Sequence, residues 1–177
     1  MKLIINKSVL FLVIALIFAS CKTSKSPNKT VGDPLENKKE APVKTSVKYY
    51  TEQVRNDFRA VSENAQKKFI EAYSATEKQY SILFFTQGFI GEEITVKNDN
   101  NTLYKGSVLT NKKTGLAKNM RIVNTEETSI YDKATKKTIY INSEKAKKHK
   151  FIYVMKGSLN DDKPYKITYS DKLRPEK

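Results

Sequence analysis

Only two residues of this chain are single copies of a reactive type, Cys21 and His149. His149 lies within the run 147–150 (KKHK), where neighbouring positive charge disfavours the imidazolium form. A transition-metal site would need further His, Cys or carboxylate ligands at close spacing, and the sequence around His149 offers none. We therefore predict no catalytic role for His149, no metal site and no cofactor.

Three pairs of adjacent acidic residues could carry acid–base chemistry: 92–93, 126–127 and 161–162. Paired carboxylates act as general acid and general base when one of them is desolvated. Adjacent residues on a strand point to opposite faces of the sheet, so these pairs are poorly placed to act together. We interpret them as polar strand ends and a turn, and predict that the protein is not an enzyme.

Positive charge is the strongest compositional signal, because 33 Lys and Arg stand against 19 Asp and Glu. Between residues 112 and 156 there are twelve basic residues and four acidic ones. Such a region favours an anionic partner, or it forms a solvated face that keeps a β-protein soluble and its edge strands unpaired. The candidate partner contacts are Lys112, Lys113, Lys118, Arg121, Lys136, Lys137, Lys147, Lys148 and Lys150.

The first twenty residues have the layout of a secretory signal. Lys2 and Lys7 precede an apolar run over 8–18, and the small residues Ala19 and Ser20 follow it. The apolar run is shorter than the roughly 20 residues that a membrane-spanning helix needs. We therefore predict a signal peptide over 1–20 that is cleaved before Cys21.

Residues 17–21 (IFASC) resemble the lipobox of bacterial lipoproteins and depart from its usual pattern at Phe18, where an aliphatic residue is preferred. The resemblance implies diacylglycerol on the sulfur of Cys21 and a fatty acid such as palmitate on its α-amine, which together anchor a protein to a membrane. The alternative is a secreted protein with one unpaired cysteine.

The composition is also similar to that of small envelope lipoproteins of Bacteroidota. In that group, surface-exported lipoproteins carry acidic residues just after the lipidated cysteine, whereas 22–26 (KTSKS) contain none. Lys22 also stands where an aspartate retains lipoproteins in the inner membrane of enterobacteria. The resemblance thus implies the outer membrane, facing the periplasm. In that compartment anionic lipid, lipopolysaccharide, an acidic glycan or an acidic protein is the expected partner, and nucleic acid is not.

Residues 21–45 contain the lipidated cysteine, three prolines and six lysines, with few large apolar residues, so we predict a disordered tether. Residues 46–177 suffice for one globular domain. Within it, apolar residues spaced by three and four predict an amphipathic helix over 50–73, with Thr51 as its N-cap and a weak stretch at 62–64.

Short runs rich in Ile, Val, Tyr, Phe and Thr then predict strands. They are 80–86, 92–97, 102–110, 119–124, 128–132, 138–142, 151–156 and 165–170. Runs 81–85 and 151–155 do not alternate and indicate central strands buried on both faces, whereas 165–170 alternates as if one face were wet. Polar runs 98–101 and 133–136 predict hairpin turns, and hence antiparallel pairing.

We therefore predict a mainly β (α+β) fold, in which the helix packs on an antiparallel sheet that forms a sandwich or partial barrel of seven to eight strands. The first functional hypothesis is a non-catalytic binding or assembly module that offers a basic face. The second is a carrier of lipid or lipopolysaccharide, with an apolar cavity between helix and sheet. An enzyme would need titratable groups converging in a cleft, which the linear sequence does not indicate.

Overall fold

A computed structural model describes residues 48–176, which contain nine strands and two helices. The strands are β1 Tyr50–Val54, β2 Tyr80–Phe85, β3 Ile90–Asn98, β4 Asn101–Leu109, β5 Lys118–Val123, β6 Thr128–Asp132, β7 Lys137–Ile141, β8 Phe151–Lys156 and β9 Tyr165–Ser170. The helices are α1 Glu63–Ala72 and α2 Ser143–Ala146. The predicted signal peptide, Cys21 and the predicted tether lie outside the described residues.

The strands form two sheets that pack as a sandwich, with the orders β1-β9-β8-β2-β5 and β4-β3-β6-β7. The four-stranded sheet is antiparallel, as predicted. The five-stranded sheet is mixed, because β1 pairs with β9 and β2 with β8 in parallel. The prediction of wholly antiparallel pairing is wrong for this sheet. Turn signals report on strands adjacent in sequence, whereas parallel partners are joined by long connections.

The segment that precedes α1 differs from the predicted helix over 50–73. Residues 50–54 form β1, and α1 begins at Glu63 with Ser62, not Thr51, as its N-cap. The Ala65 N–H donates to the Ser62 Oγ at 3.3 Å. The helix thus starts within the stretch expected to be weak. Tertiary pairing explains the difference, since β1 completes the edge of the five-stranded sheet and overrides a spacing that also suits a helix.

Strands β2 and β8 are central and buried on both faces, which confirms the prediction from their apolar runs. Alternate residues enter two different hydrophobic clusters. The inner core lies between the two sheets and receives Leu83, Phe85, Ile152 and Val154. The outer core lies on the face that α1 covers and receives Ile82, Phe84, Phe151 and Tyr153.

Strand β9 is more buried than its alternating pattern predicts. Lys166 is exposed, but Thr168 and Ser170 on the same face are buried. The Gln53 Nε2 donates to Thr168 Oγ1 at 2.9 Å, and the Ser170 Oγ donates to Asn56 Oδ1 at 2.8 Å. β1 and the segment after it therefore cover a face that was expected to be wet, because hydroxyl groups can be buried when they are hydrogen-bonded.

The structure confirms the two predicted hairpin turns. Residues 98–101 join β3 to β4 and residues 133–136 join β6 to β7, with Asp99 and Lys136 at positive φ. Gly88 is required by close approach, since a Cβ there would lie 1.8 Å from the carbonyl oxygen of Lys156. In this connection Phe89 is 1% exposed and packs inside, while Ile90 is 79% exposed.

Candidate functional site

The nine basic residues proposed as partner contacts lie on several elements. Lys112 and Lys113 lie in the β4–β5 loop, and Lys118 and Arg121 on β5. Lys136 and Lys137 lie at the β6–β7 turn and the start of β7, and Lys147, Lys148 and Lys150 between α2 and β8. β5 and β7 are edge strands of different sheets. Within the five-stranded sheet, Lys118 pairs with Phe85 at the end of β2, whereas Lys150 precedes the residue that pairs with Ile82 near its start.

Three of these cations form hydrogen bonds or an ion pair within the molecule. The Lys150 Nζ donates to the carbonyl oxygens of Ala75, Glu77 and Tyr80, each at 2.8 Å. The Arg121 guanidinium donates to the Ser74 carbonyl at 2.8 Å, and Lys147 pairs with Glu144 at 2.8 Å. The nine residues thus come from loops, turns and edge strands of both sheets, and these three already have partners within the protein. Cys21, the predicted lipidation site, lies outside the described residues.

His149, Glu92 and Glu93 each contact an oppositely charged or titratable side chain of the protein. The His149 Nδ1 lies 3.1 Å from Asp171 Oδ1, and no group of three metal-binding side chains occurs in residues 48–176. The side chain of Glu92 is 8% exposed and pairs with Lys156 at 2.6 Å, while that of Glu93 is 40% exposed and pairs with Lys133. The two carboxylates thus point to opposite faces, as their spacing predicts.

A buried ionic cluster, formed by Lys156, Asp132, Glu92 and Tyr165, links the two sheets and was not predicted. The Lys156 Nζ donates to Glu92 at 2.6 Å and to Asp132 at 2.7 Å, and the Tyr165 hydroxyl donates to Asp132 at 2.6 Å. Burial alone would lower the pKa of Lys156, but the two carboxylates outweigh it and raise that pKa. With side-chain exposures of 2% for Lys156 and 1% for Asp132, the cluster has no access for a substrate and is structural.

A cavity of about 310 Å³ lies beside α1 and is here called the α1 cavity. Its walls are Val61, Ala65 and Phe69 around α1, Phe84 from β2, Thr86 and Gln87 just after β2, Tyr153 and Met155 from β8, residues 114–116, and the tail 173–176. These elements are separate in sequence. The cavity is therefore a product of the tertiary fold and not of a local motif.

Aromatic rings form the floor of the α1 cavity. Tyr153 stacks on Phe84 with ring centroids 4.9 Å apart, and Phe69 of α1 stacks on Phe84 at 5.8 Å. Phe84 and Tyr153 are paired residues on the neighbouring strands β2 and β8. Their side chains therefore point to the same, outer face of the sheet. The result is a rigid, apolar surface of the kind that lines small-molecule sites.

The C-terminal tail closes one side of the cavity through four hydrogen bonds. The Val61 N–H donates to the Leu173 carbonyl at 3.0 Å, and the Leu173 N–H donates to Gln66 Oε1 at 2.9 Å. The Tyr153 hydroxyl donates to the Lys172 carbonyl at 3.0 Å and accepts from the Arg174 N–H at 3.0 Å. The tail therefore holds the side chain of Arg174 in a defined place.

Arg174 is the one basic residue that lines the α1 cavity. Its guanidinium carbon lies 4.3 Å from the ring centroids of both Phe58 and Tyr153. Burial lowers the pKa of Arg174, although an arginine remains charged in a protein at neutral pH. Its Nε is buried and has no hydrogen-bond partner among the described residues. Sequence reasoning missed Arg174, because a lone arginine near the C-terminus carries no local signal.

A second hollow of about 310 Å³ lies between β1 and the β7–α2 segment and is polar. Its central carboxylate, Glu52, is 6% exposed and pairs with Lys48 at 2.6 Å and Lys145 at 3.4 Å, and the Tyr169 hydroxyl donates to it at 2.8 Å. Burial alone would raise the pKa of Glu52, but these partners outweigh burial and lower it. The charge is thus already satisfied within the protein.

A scan against protein-family models, a search of curated proteins and a search of solved structures each found no match to the chain. None of the helices within residues 48–176 is long and apolar enough to cross a membrane.

Proposed function

We propose that this protein is a lipid-anchored, non-catalytic binding protein of the cell envelope, and that the α1 cavity takes up a small apolar ligand. The observation that carries the proposal is the contrast in packing on the five-stranded sheet. Its inner face is covered by a second sheet, whereas its outer face retains a cavity of about 310 Å³ with stacked aromatic walls. Clefts that hold small molecules in proteins start at about 300 Å³.

The proposed localisation of the protein is based on residues 1–26. We propose that the signal over 1–20 is removed, that Cys21 is lipidated, and that the protein faces the periplasm from the outer membrane. In the native bacterium, Cys21→Ala should shift the protein from the membrane fraction to the soluble fraction or leave its signal uncleaved. Unchanged processing and membrane association in this variant would contradict the lipidation proposal.

The cavity supports ligand uptake over docking through a basic face. Docking on a basic face would need cations that are free to bind, and three of the nine candidate residues, Arg121, Lys147 and Lys150, are bonded within the protein. Uptake in a cavity needs only apolar area, shape and a few placed polar groups, all of which the α1 cavity contains. Anionic envelope components remain the expected class of partner.

A neutral fluorescent probe, N-phenyl-1-naphthylamine, tests uptake directly. The mature chain carrying Cys21→Ser keeps the protein out of lipid, which would otherwise absorb the probe. We expect one probe to bind per chain, with a rise in fluorescence. Ala65 is exposed and lines the cavity from α1, so the ring of Ala65→Phe should fill or cover the cavity and abolish binding.

The matched control is Ala72→Phe, the same substitution at the exposed last residue of α1, which does not line the cavity. This variant should bind the probe as the parent chain does. The proposal fails if the parent chain does not bind the probe, or if Ala65→Phe binds it as well as Ala72→Phe.

A further inference from the structure

On the basis of the proposed function, we infer that the ligand of the α1 cavity is a single-chain anionic amphiphile of the fatty-acid class. Its carboxylate would be bound by Arg174, and its acyl chain would lie along the aromatic floor formed by Phe84 and Tyr153. The chemistry follows from one partly buried cation at the side of a cavity whose floor is aromatic.

Arg174 is held as a fixed binding group. Its backbone N–H donates to the Tyr153 hydroxyl, and its guanidinium carbon lies 4.3 Å from the centroid of each of the Phe58 and Tyr153 rings, which meet at 85°. Contact with two rings nearly at a right angle restricts the position of the guanidinium. A preorganised donor of this kind loses little conformational freedom when an anion binds.

The hydrogen-bonding capacity of Arg174 is not used within the described chain. A guanidinium has five N–H donors and no acceptor, and the buried Nε of Arg174 lacks a partner. Asp57 raises the pKa of Arg174 only through coulombic attraction, and none of the ion pairs within residues 48–176 includes Arg174. A carboxylate matches the guanidinium edge with two parallel hydrogen bonds. The Nε itself is fully buried, so these bonds would come from the two terminal amino groups of the guanidinium, which form no hydrogen bond or ion pair within residues 48–176.

The rest of the cavity suits a hydrocarbon chain. Phe69, Phe84, Met155 and Leu173 contribute apolar walls, and methionine adapts its shape to a flexible partner. A dry apolar cavity of about 150 Å³ is already large enough to bind benzene. The α1 cavity is about twice as large, yet stands at the lower limit of small-molecule sites, so we commit to one acyl chain and not to a two-chain phospholipid.

Glu176 also lines the cavity and is exposed to solvent. Its carboxylate repels an anion at that part of the rim. The carboxylate of the ligand is therefore expected beside the Arg174 guanidinium, and the acyl chain is expected to run along Phe84 and Tyr153.

The test compares an acid with its neutral ester on the full mature chain carrying Cys21→Ser. The probes are the fluorescent fatty acid cis-parinaric acid and its methyl ester, which differ in charge but share the chain. We expect the acid to bind roughly ten-fold more tightly or better, as a charge-assisted hydrogen bond would give. Arg174→Gln should remove that preference, and Arg174→Lys should retain part of it.

Lys172→Gln is the matched control, because it removes one positive charge from the same tail at an exposed position that does not line the cavity. It should keep the preference for the acid, and thermal melting of each variant checks that folding is intact. Equal binding of acid and ester by the parent chain overturns the inference but leaves the proposed function standing. Binding of neither probe overturns both. Binding of the ester by Arg174→Gln, with the preference lost, supports both.

Discussion

The two faces of the five-stranded sheet are built from the same strands but form different kinds of core. On the inner face, Leu83 and Ile152 pack into a largely aliphatic cluster that a second sheet covers. On the outer face, Phe84 and Tyr153 join an aromatic cluster covered by α1 and the tail. A helix of ten residues is only about 15 Å long. It cannot cover a whole sheet face, so the α1 cavity remains between α1, residues 114–116 and the tail 173–176.

The two faces also differ in the partners that surround a cation. Lys156 is neutralised inside by Asp132 and Glu92 at 2.7 and 2.6 Å. Arg174 on the outer side contacts two aromatic rings, and its Nε has no partner among the described residues. The comparison shows that the positive charges of Lys156 and Arg174 have different surroundings and so suit different roles. A fully paired cation joins two sheets, while a cation with unused donors is suited to bind a ligand.

The largest expected effect comes from breaking the inner ion cluster. Lys156→Met leaves Asp132 and Glu92 buried without their counter-charge, and should lower the free energy of unfolding by about 3–5 kcal/mol. Urea denaturation of the mature chain measures this loss. Lys166→Met, at the exposed position of β9, is the control and should change stability by less than about 0.5 kcal/mol. Similar losses in both variants would show that the cluster does not join the sheets.

Adding bulk to each core gives an intermediate effect. Val154→Phe overfills the inner core and should cost about 1–3 kcal/mol. Ala65→Phe adds more atoms than Val154→Phe but places them in the α1 cavity. Its free energy of unfolding should therefore lie within about 0.5 kcal/mol of that of Ala72→Phe, which shares the lower helix propensity of Phe. The comparison of the two cores would be wrong if Ala65→Phe proved as destabilising as Val154→Phe.

The smallest expected effect comes from removing the N-cap of α1, the helix that packs on the outer face. Ser62→Ala removes the side-chain acceptor for the Ala65 N–H and should destabilise α1 by about 1 kcal/mol. Because α1 covers the cavity, binding of N-phenyl-1-naphthylamine should weaken as well. Ser158→Ala, in the exposed loop after β8, is the control and should leave probe binding unchanged. A loss of stability without weaker probe binding would separate the helix cap from the cavity.

Part of the fold is readable from local patterns. The buried runs of β2 and β8 and the turns at 98–101 and 133–136 were predictable because period and turn chemistry act over a few residues. The inner ion cluster left a partial signal. Lys156 ends an apolar run, and Asp132 occupies a buried position of an alternating strand. No such signal marked Arg174, whose partner Phe58 lies far away in the sequence.

The sequence by itself determined the alternation of strands and turns, the two-faced burial of β2 and β8, and the expectation of a lipidated Cys21. Only the tertiary structure decided that β1 is a strand, that two strand pairs are parallel, and that Lys156 and Arg174 occupy such different surroundings. The physical reason is range. Periodicity and turn preference are properties of neighbouring residues, whereas strand partners, ion clusters and cavities depend on which distant surfaces pack together.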